Sequence, residues 1–338
     1  MVDISLGTAG IGGLHRRVER DEAFRIFDAA WEKMGIRHYD TACLYGAGRA
    51  ERLLGDWIAD RKIDMARIRV TTKIAYHLEN PTEERPFDPK GFAGGDRQNL
   101  ILEYSFKGAM KQAEASLERL QLDRVDNMLL HDIDRQNHGA RYEDLFSAAM
   151  QGTYRALQSI KEQGKVLAIG LGVNNFETFS DFYDAGNKID CGVLAGRYTL
   201  LEQDALPLLQ RAEEEKTRMF LAGNLNSGLL AGQPWYNYRK PSPEKLAQAH
   251  EIKAVCDKHR VPMAAAALQF SSAGPAVAQI VIGPNSLNEL EENIEWIRMS
   301  IPSCLWTDLK ARGLLRESAP VPDSRSLGLK NPAKAPVL

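Results

Sequence analysis

Short apolar runs recur along this chain, each separated from the next by a stretch with the periodicity of a half-buried helix. Runs near residues 3–8, 36–40, 67–73, 125–130, 166–173, 190–195, 218–222 and 279–283 have the length of buried strands. Between them, DEAFRIFDAAWEKM, KGAMKQAEASLERL, LFSAAMQGTYRALQSIKEQG and PEKLAQAHEIKAVCDKH place apolar residues three and four apart, so each hides one face. Parallel strands need crossovers of this kind, and eight such units close on themselves. The pattern therefore predicts an α/β protein, a (β/α)8 TIM barrel with long loops at its C-terminal face. No linker rich in Gly, Pro or Ser interrupts the alternation, so residues 1–316 read as one barrel domain.

Three segments depart from the alternation. The first, from Tyr76 to Leu102, contains ENPTEERPFDPKGFAGGDRQN; a loop this long in a compact domain is usually functional or disordered, and its place above a strand end makes it a candidate substrate lid or a mobile insertion. The second, QPWYNYRKPSP, sets Trp235, Tyr236 and Tyr238 after the seventh apolar run, where their aromatic faces could receive the apolar side of a substrate or pack on the rim, Trp235 and Tyr236 being the substrate contacts expected. The third, residues 317–338, carries prolines without an apolar period and reads as an extended or disordered tail.

Composition narrows the partners. A net charge of −2 gives no reason to expect nucleic acid or an anionic membrane surface. Cys43, Cys191, Cys256 and Cys304 show no paired ligand spacing, and the amino terminus lacks a signal-peptide apolar run, so the expectation is reduced thiols in a cytoplasmic protein. Cys43 is expected to pack rather than react. Without an HxH or HExxH pair, a metal site is not expected, and no GxGxxG loop follows a strand as a Rossmann domain requires. The expected partner is a small molecule, bound by a monomer or weak homo-oligomer.

Four polar residues follow apolar runs at the ends that bind ligands in parallel α/β folds: Asp40 and Tyr45 in IRHYDTACLYG, Lys73 in IRVTTKI and His131 in VDNMLLHDID. Singly, Asp40 could cap a loop, Lys73 could sit on the rim and His131 could be a satisfied core histidine. Jointly they suit proton transfer to a carbonyl oxygen. A lysine ammonium about 4 Å away would favour the Tyr45 phenolate by ~4 kcal/mol at an effective dielectric near 20, roughly three pKa units. An adjacent carboxylate, Asp40, would keep that lysine charged, and His131 would orient the reacting oxygen. Asp132 could contact a substrate hydroxyl or be a solvated loop acid.

The segments YDTACLYGAGRAERLLGDWI, VTTKI and SLERLQLDRVDNMLLHDID resemble the aldo-keto reductase superfamily, and the resemblance covers nearly the whole chain. It implies that Asp40, Tyr45, Lys73 and His131 form the family's catalytic tetrad. LGTAGIGGL, LAGRYTLLEQDAL, AAAALQF and LWTDLKARGLL further resemble the branch of aldose 1-dehydrogenases acting on L-fucose, L-galactose and D-arabinose. The implied activity is oxidation of an aldose at C1 to the lactone. A reductase or dehydrogenase of pyridoxal or a small ketone, and a non-catalytic dinucleotide sensor, are the alternatives.

A nicotinamide dinucleotide is the implied cofactor. VIGPNSLNELEENIEWI resembles the family's adenosine-binding segment, with Asn285 and Glu289 where members that use NADP carry basic residues. Glu289 would repel a 2′-phosphate and accept from a free 2′-hydroxyl, so NAD is expected over NADP. The resemblance also assigns Gly7, Thr8, Gly283, Glu292 and Asn293 to the cofactor, Asn174 and Asn175 to its carboxamide, and Asn226, Ser227 and Gly228 to its pyrophosphate. Two departures are visible: Ala195 stands at the family's glutamine position, and FLAGNLNSGLLAG lacks its stacking aromatic residue.

Overall fold

The computed structural model describes residues 2–322. Ten strands form: β1 (Asp3–Gly7), β2 (His38–Asp40), β3 (Arg69–Ile74), β4 (Tyr76–Glu79), β5 (Asn99–Leu102), β6 (Val125–His131), β7 (Val166–Val173), β8 (Cys191–Ala195), β9 (Arg218–Ala222) and β10 (Val277–Ile282). All but β4 and β5 pair in parallel as a closed eight-stranded barrel, β10 returning to β1. Each of the eight apolar runs coincides with a barrel strand.

The helices are α1 (Arg20–Asp28), α2 (Arg49–Asp60), α3 (Phe106–Leu120), α4 (Arg135–His138), α5 (Tyr142–Ala149), α6 (Arg155–Glu162), α7 (Glu177–Asp184), α8 (Leu206–Glu214), α9 (Pro243–Lys258), α10 (Met263–Ser272), α11 (Leu287–Arg298) and α12 (Ser303–Ala311). Their starts show the local chemistry. Ser105, Ser242 and Ser286 each accept a hydrogen bond from a first-turn N–H of α3, α9 and α11, satisfying a donor the helix cannot. Among the described residues no helix is long and apolar enough to cross a membrane.

Apolar burial falls into two layers. The larger lies between helices and strands and holds Phe27, Tyr39, Trp57, Phe179, Phe182 and Phe270, all fully buried. The smaller fills the barrel lumen with Leu129, Ala168, Cys191, Val193, Phe220 and Val281, a packed plug of the kind the fold requires. The polar site sits above that plug.

One expectation is corrected. The 76–102 insertion is not an unstructured loop: Tyr76 pairs with Leu102 and Glu79 with Asn99, making β4–β5 an antiparallel hairpin with a long tip. Its two short arms, YHLE and NLIL, are half-buried strands hidden in a polar context. Of the tail expected to be extended or disordered from residue 317, the start is without helix or strand and packs on the barrel, since Lys310 Nζ donates to the Glu317 carbonyl at 2.7 Å and Ala319 is buried. Residues 323–338 of the expected tail lie outside the described residues.

Candidate active site

Strand register brings Asp40, Lys73 and His131 to one mouth. Gly7 is paired with Asp40 across β1 and β2, and the Asp40 carbonyl accepts from the Thr8 N–H at 2.9 Å and the Thr8 hydroxyl at 3.1 Å. Gly7 and Thr8, expected at the cofactor, thus serve to fix the end of β2. Lys73 reaches across the lumen beside β7, where a Cβ on Gly172 would stand 2.9 Å from its Cδ. Its Nζ donates to Asp40 Oδ1 at 2.6 Å, to the Thr41 carbonyl at 2.9 Å and to the Tyr45 hydroxyl at 3.0 Å. Three acceptors meet the three donors of an ammonium group.

Tyr45 reaches this point because the turn after it is tight. Gly46 has φ +69°, and any side chain there would overlap the Gly12 carbonyl of the loop after β1. The Phe92 ring, from the tip of the β4–β5 hairpin, lies over Tyr45 with centroids 5.8 Å apart and planes at 30°. Asp96 pins that tip, accepting from Arg52 and pairing with Arg17 at 3.6 Å and Arg49 at 3.5 Å, while its N–H donates to the Gly46 carbonyl at 3.0 Å. His131 stands edge-on to Tyr45 at 5.8 Å, buried, with Nδ1 unpartnered among the described residues.

The electrostatics differ from the expectation at Tyr45. Its pKa is well above the ordinary phenol value, raised by burial first, then by Asp40, Tyr238 and Asp132. Lys73 does not depress it as the isolated pair would, because Asp40 at 2.6 Å largely cancels the ammonium charge while desolvation acts unopposed. Burial also raises the Asp40 carboxyl against the pull of Lys73. His131 is held neutral by burial and by the Lys73 charge. Cys43 packs as expected: its thiol is buried, pushed up to about 12, and lies 3.6 Å from the Tyr76 carbonyl.

The residues assigned to a cofactor are spread around the same mouth. Asn174 lies beside the tetrad, with Nδ2 3.4 Å from Asp132 Oδ1 and its carbonyl accepting from Arg197 at 2.7 Å. Asn175 turns to the start of α7, its Oδ1 accepting from the Thr178 N–H at 3.2 Å. Asn226 is fully buried, and its side chain is spent on Thr199, Gly196 and Asn237, which leaves backbone alone for a ligand. Ser227 Oγ accepts from the Tyr238 N–H at 2.9 Å, and Gly228 beside it has φ +97°. Gly283 is exposed, with open space where a Cβ would project. Glu289 accepts from the backbone and side-chain nitrogens of Asn285 at 2.7 and 3.0 Å, closing the entrance to α11. Farther along α11, Glu292 is exposed and Asn293 buried.

Phe92 and Arg16 carried little sequence signal. Phe92 is one of several aromatic residues in a long polar insertion. Tyr238, singled out in the sequence with Trp235 and Tyr236, lines a cavity of about 20 Å³ with Asn174, Ala195, Gly196, Ser227 and Asn237. Trp235 is exposed, and Tyr236 is held on the rim by a backbone bridge to Arg239 with Lys245 5.7 Å from its ring. Arg16 binds Glu22 and donates to the Asn285 carbonyl at 3.0 Å, placing a cation beside Glu289.

Known proteins agree with this picture. The model of the aldo/keto reductase family matches residues 3–311. Pyridoxal 4-dehydrogenase of Microbacterium luteolum is 35% identical, covering 92% of this chain and 94% of its own length. D-threo-aldose 1-dehydrogenase of a Pseudomonas species is 33% identical, with coverage of 92% and 94%. L-Galactose dehydrogenase of Arabidopsis thaliana is 24% identical, covering 93% of this chain and 87% of its own length. Among solved structures, glycerol dehydrogenase of Gluconobacter oxydans superposes with a TM-score of 0.69 at 20% identity, covering 96% of this chain and 94% of its own, a likeness of fold alone. The barrel and these matches over nearly its full length place the chain in the aldo/keto reductase family, as an NAD(P)-dependent oxidoreductase of a small-molecule substrate.

Proposed function

We propose that the protein oxidises an aldose of the L-fucose, L-galactose or D-arabinose type at C1 to the lactone, with NAD preferred as the acceptor. The observation that carries this reading is the Lys73 ammonium set between Asp40 at 2.6 Å and the Tyr45 hydroxyl at 3.0 Å, with His131 edge-on to Tyr45. The open space where a Cβ on Gly283 would project, at the end of β10 and before α11, suits a dinucleotide that needs close backbone approach. Bound there, the nicotinamide supplies the hydride acceptor. Asn174, Ser227, Gly228, Asn285 and Glu289 are the residues we assign to holding it.

The residues divide the proton work. Tyr45 takes the proton of the anomeric hydroxyl as the C1–H bond gives up its hydride and the C=O bond of the lactone forms; in reverse it returns that proton to the carbonyl oxygen. Lys73 stabilises the Tyr45 phenolate, which accepts the proton in oxidation and is left behind in reduction, and Asp40 fixes Lys73. Neutral His131 orients the reacting oxygen through a hydrogen bond rather than by giving up a proton, in keeping with its lowered pKa. The hairpin places Phe92 over Tyr45 and covers one side of the pocket.

Pyridoxal is the second reading, favoured by the Microbacterium luteolum relative and by the ring of Phe92 over Tyr45. The chemistry is shared, because pyridoxal carries a hydroxymethyl group beside its aldehyde and closes to a cyclic hemiacetal. NAD preference is supported by the Glu289 carboxylate at the α11 entrance, with the nearby Arg16 occupied by Glu22. Initial rates with L-fucose, L-galactose, D-arabinose and pyridoxal, each with NAD and with NADP, test both points. The expected result is faster NAD reduction with a sugar; pyridoxal as the only substrate would replace the aldose reading, and equal efficiency with both cofactors would remove the NAD preference.

A further inference from the structure

Asp132 is a buried carboxylate that the proton transfer above does not use. It follows His131 directly, and consecutive residues of a strand point to opposite faces. Here the alternation is broken: Asp132 has φ +50°, a left-handed conformation that non-glycine residues adopt rarely and mostly at functional sites. The turn brings its carboxylate back to the side of its neighbour, Oδ1 lying 3.7 Å from His131 Nε2. Only 14% of its side chain is exposed, which excludes a solvated loop acid.

Its hydrogen bonding is thin for such a site. Asn174 Nδ2 approaches at 3.4 Å, at the long edge of a hydrogen bond, and His131 lies beyond that range. The charged and titratable groups around it are committed or of the wrong sign. Lys73 is spent on Asp40, Thr41 and Tyr45. Asp134 repels it, while itself accepting from the Asn137 N–H and side-chain amide and the Asn174 N–H. Tyr45, Tyr76 and Tyr104 act on it from their separate segments as neutral phenols, each with a pKa raised by burial, and the ring of Tyr238 is exposed. Burial and Asp134 push the Asp132 carboxyl up to about 7 against the pull of Lys73.

We infer that Asp132 is a specificity residue that accepts a hydrogen bond from the hydroxyl on the carbon next to the reacting one, which makes 2-hydroxylated cyclic hemiacetals the substrate class. The inference rests on the hemiacetal reading above. Tyr45 and His131 converge on the anomeric oxygen, and Asp132 stands beside His131, so the ring substituent nearest its carboxylate is the vicinal one. An aldose carries a hydroxyl there, whereas the hemiacetal of pyridoxal does not: its reacting carbon is attached to a bare aromatic carbon, and the ring phenol lies one carbon farther. A carboxylate built to accept from that group is left underbonded by a substrate that lacks it, and this is the strongest form of discrimination a pocket offers.

D-Arabinose and its 2-deoxy form differ in this hydroxyl alone. The wild type should favour D-arabinose in kcat/KM by about a hundredfold, a conservative value for such a site. Asp132→Ala should lose most of that preference by lowering kcat/KM for D-arabinose while leaving the deoxy sugar within about threefold, and Asp132→Asn should fall between them. The wild-type profile with D-arabinose should carry an inflection near pH 7 that is missing with the deoxy sugar. Equilibrium binding of both sugars, followed by tryptophan fluorescence, reads the same selectivity without turnover. An equal loss for both sugars, or a wild type that does not distinguish them, overturns the inference. Selective binding without NAD reduction would instead keep Asp132 in this role and overturn the hemiacetal oxidation.

Discussion

Lys73 and Tyr45 show how one distance supports opposite conclusions until burial is counted. At 3.0 Å an ammonium should acidify a phenol, yet the Lys73 charge is answered by Asp40 on one side, both of them removed from water, with Tyr45 half-buried beside them. Tyr45 is therefore a phenol at neutral pH, the form that protonates a carbonyl, whereas oxidation needs the phenolate. Below the pKa of a base, its deprotonated fraction grows tenfold with each pH unit, so kcat/KM for oxidation should rise roughly tenfold per unit between about pH 8 and 10. Carbonyl reduction draws on the phenol and should stay level over the same range. Rate measurements in both directions check the sign, and an oxidation profile already flat at pH 8 would mean that Tyr45 ionises near neutrality after all. Gly172 belongs to the same scale, since its missing side chain is the space through which Lys73 crosses the lumen.

At the scale of elements, the β4–β5 hairpin decides how enclosed the pocket is. Its two short strands give it a rigid base, and its tip is tied down by Asp96, which meets Arg17, Arg49 and Arg52 and donates its N–H to Gly46. Phe92 reaches Tyr45 because those ties hold. Asp96→Ala should loosen the tip and raise KM for substrate several-fold while changing kcat less, because the groups around Lys73 do not depend on Asp96. Steady-state kinetics would show it, and a variant with unaltered KM would leave the hairpin as a surface feature without a part in substrate capture. The segment after β9 covers the opposite side: Asn226 and Ser227 hold Asn237 and Tyr238, all four at positive φ, which brings Tyr238 to the mouth.

Across the whole molecule, the barrel was readable because each of its eight strands overlaps one of the short runs of strand length, and Asp40, Lys73 and His131 because each lies at or next to the end of its strand. What escaped the sequence depends on contacts between distant segments or on burial. The hairpin was concealed by its polar tip, and the role of Phe92 by the fold that returns that tip to Tyr45. Asn226 has the composition of a ligand contact, yet Thr199, Gly196 and Asn237 consume its side chain. Arg16 is unremarkable in sequence until the loop after β1 sets it against Asn285. The raised pKa of Tyr45 follows from desolvation, of which sequence spacing says nothing. The central claim, that Tyr45 carries the proton in a hydride transfer prepared by Lys73 and Asp40, is tested most directly by single-turnover formation of reduced NAD in wild type and Tyr45→Phe, with NAD affinity measured alongside. The account predicts a rate lower by about a thousandfold at unchanged affinity, within the usual worth of a positioned acid or base. A Tyr45→Phe enzyme that transfers hydride within about threefold of wild type would contradict it.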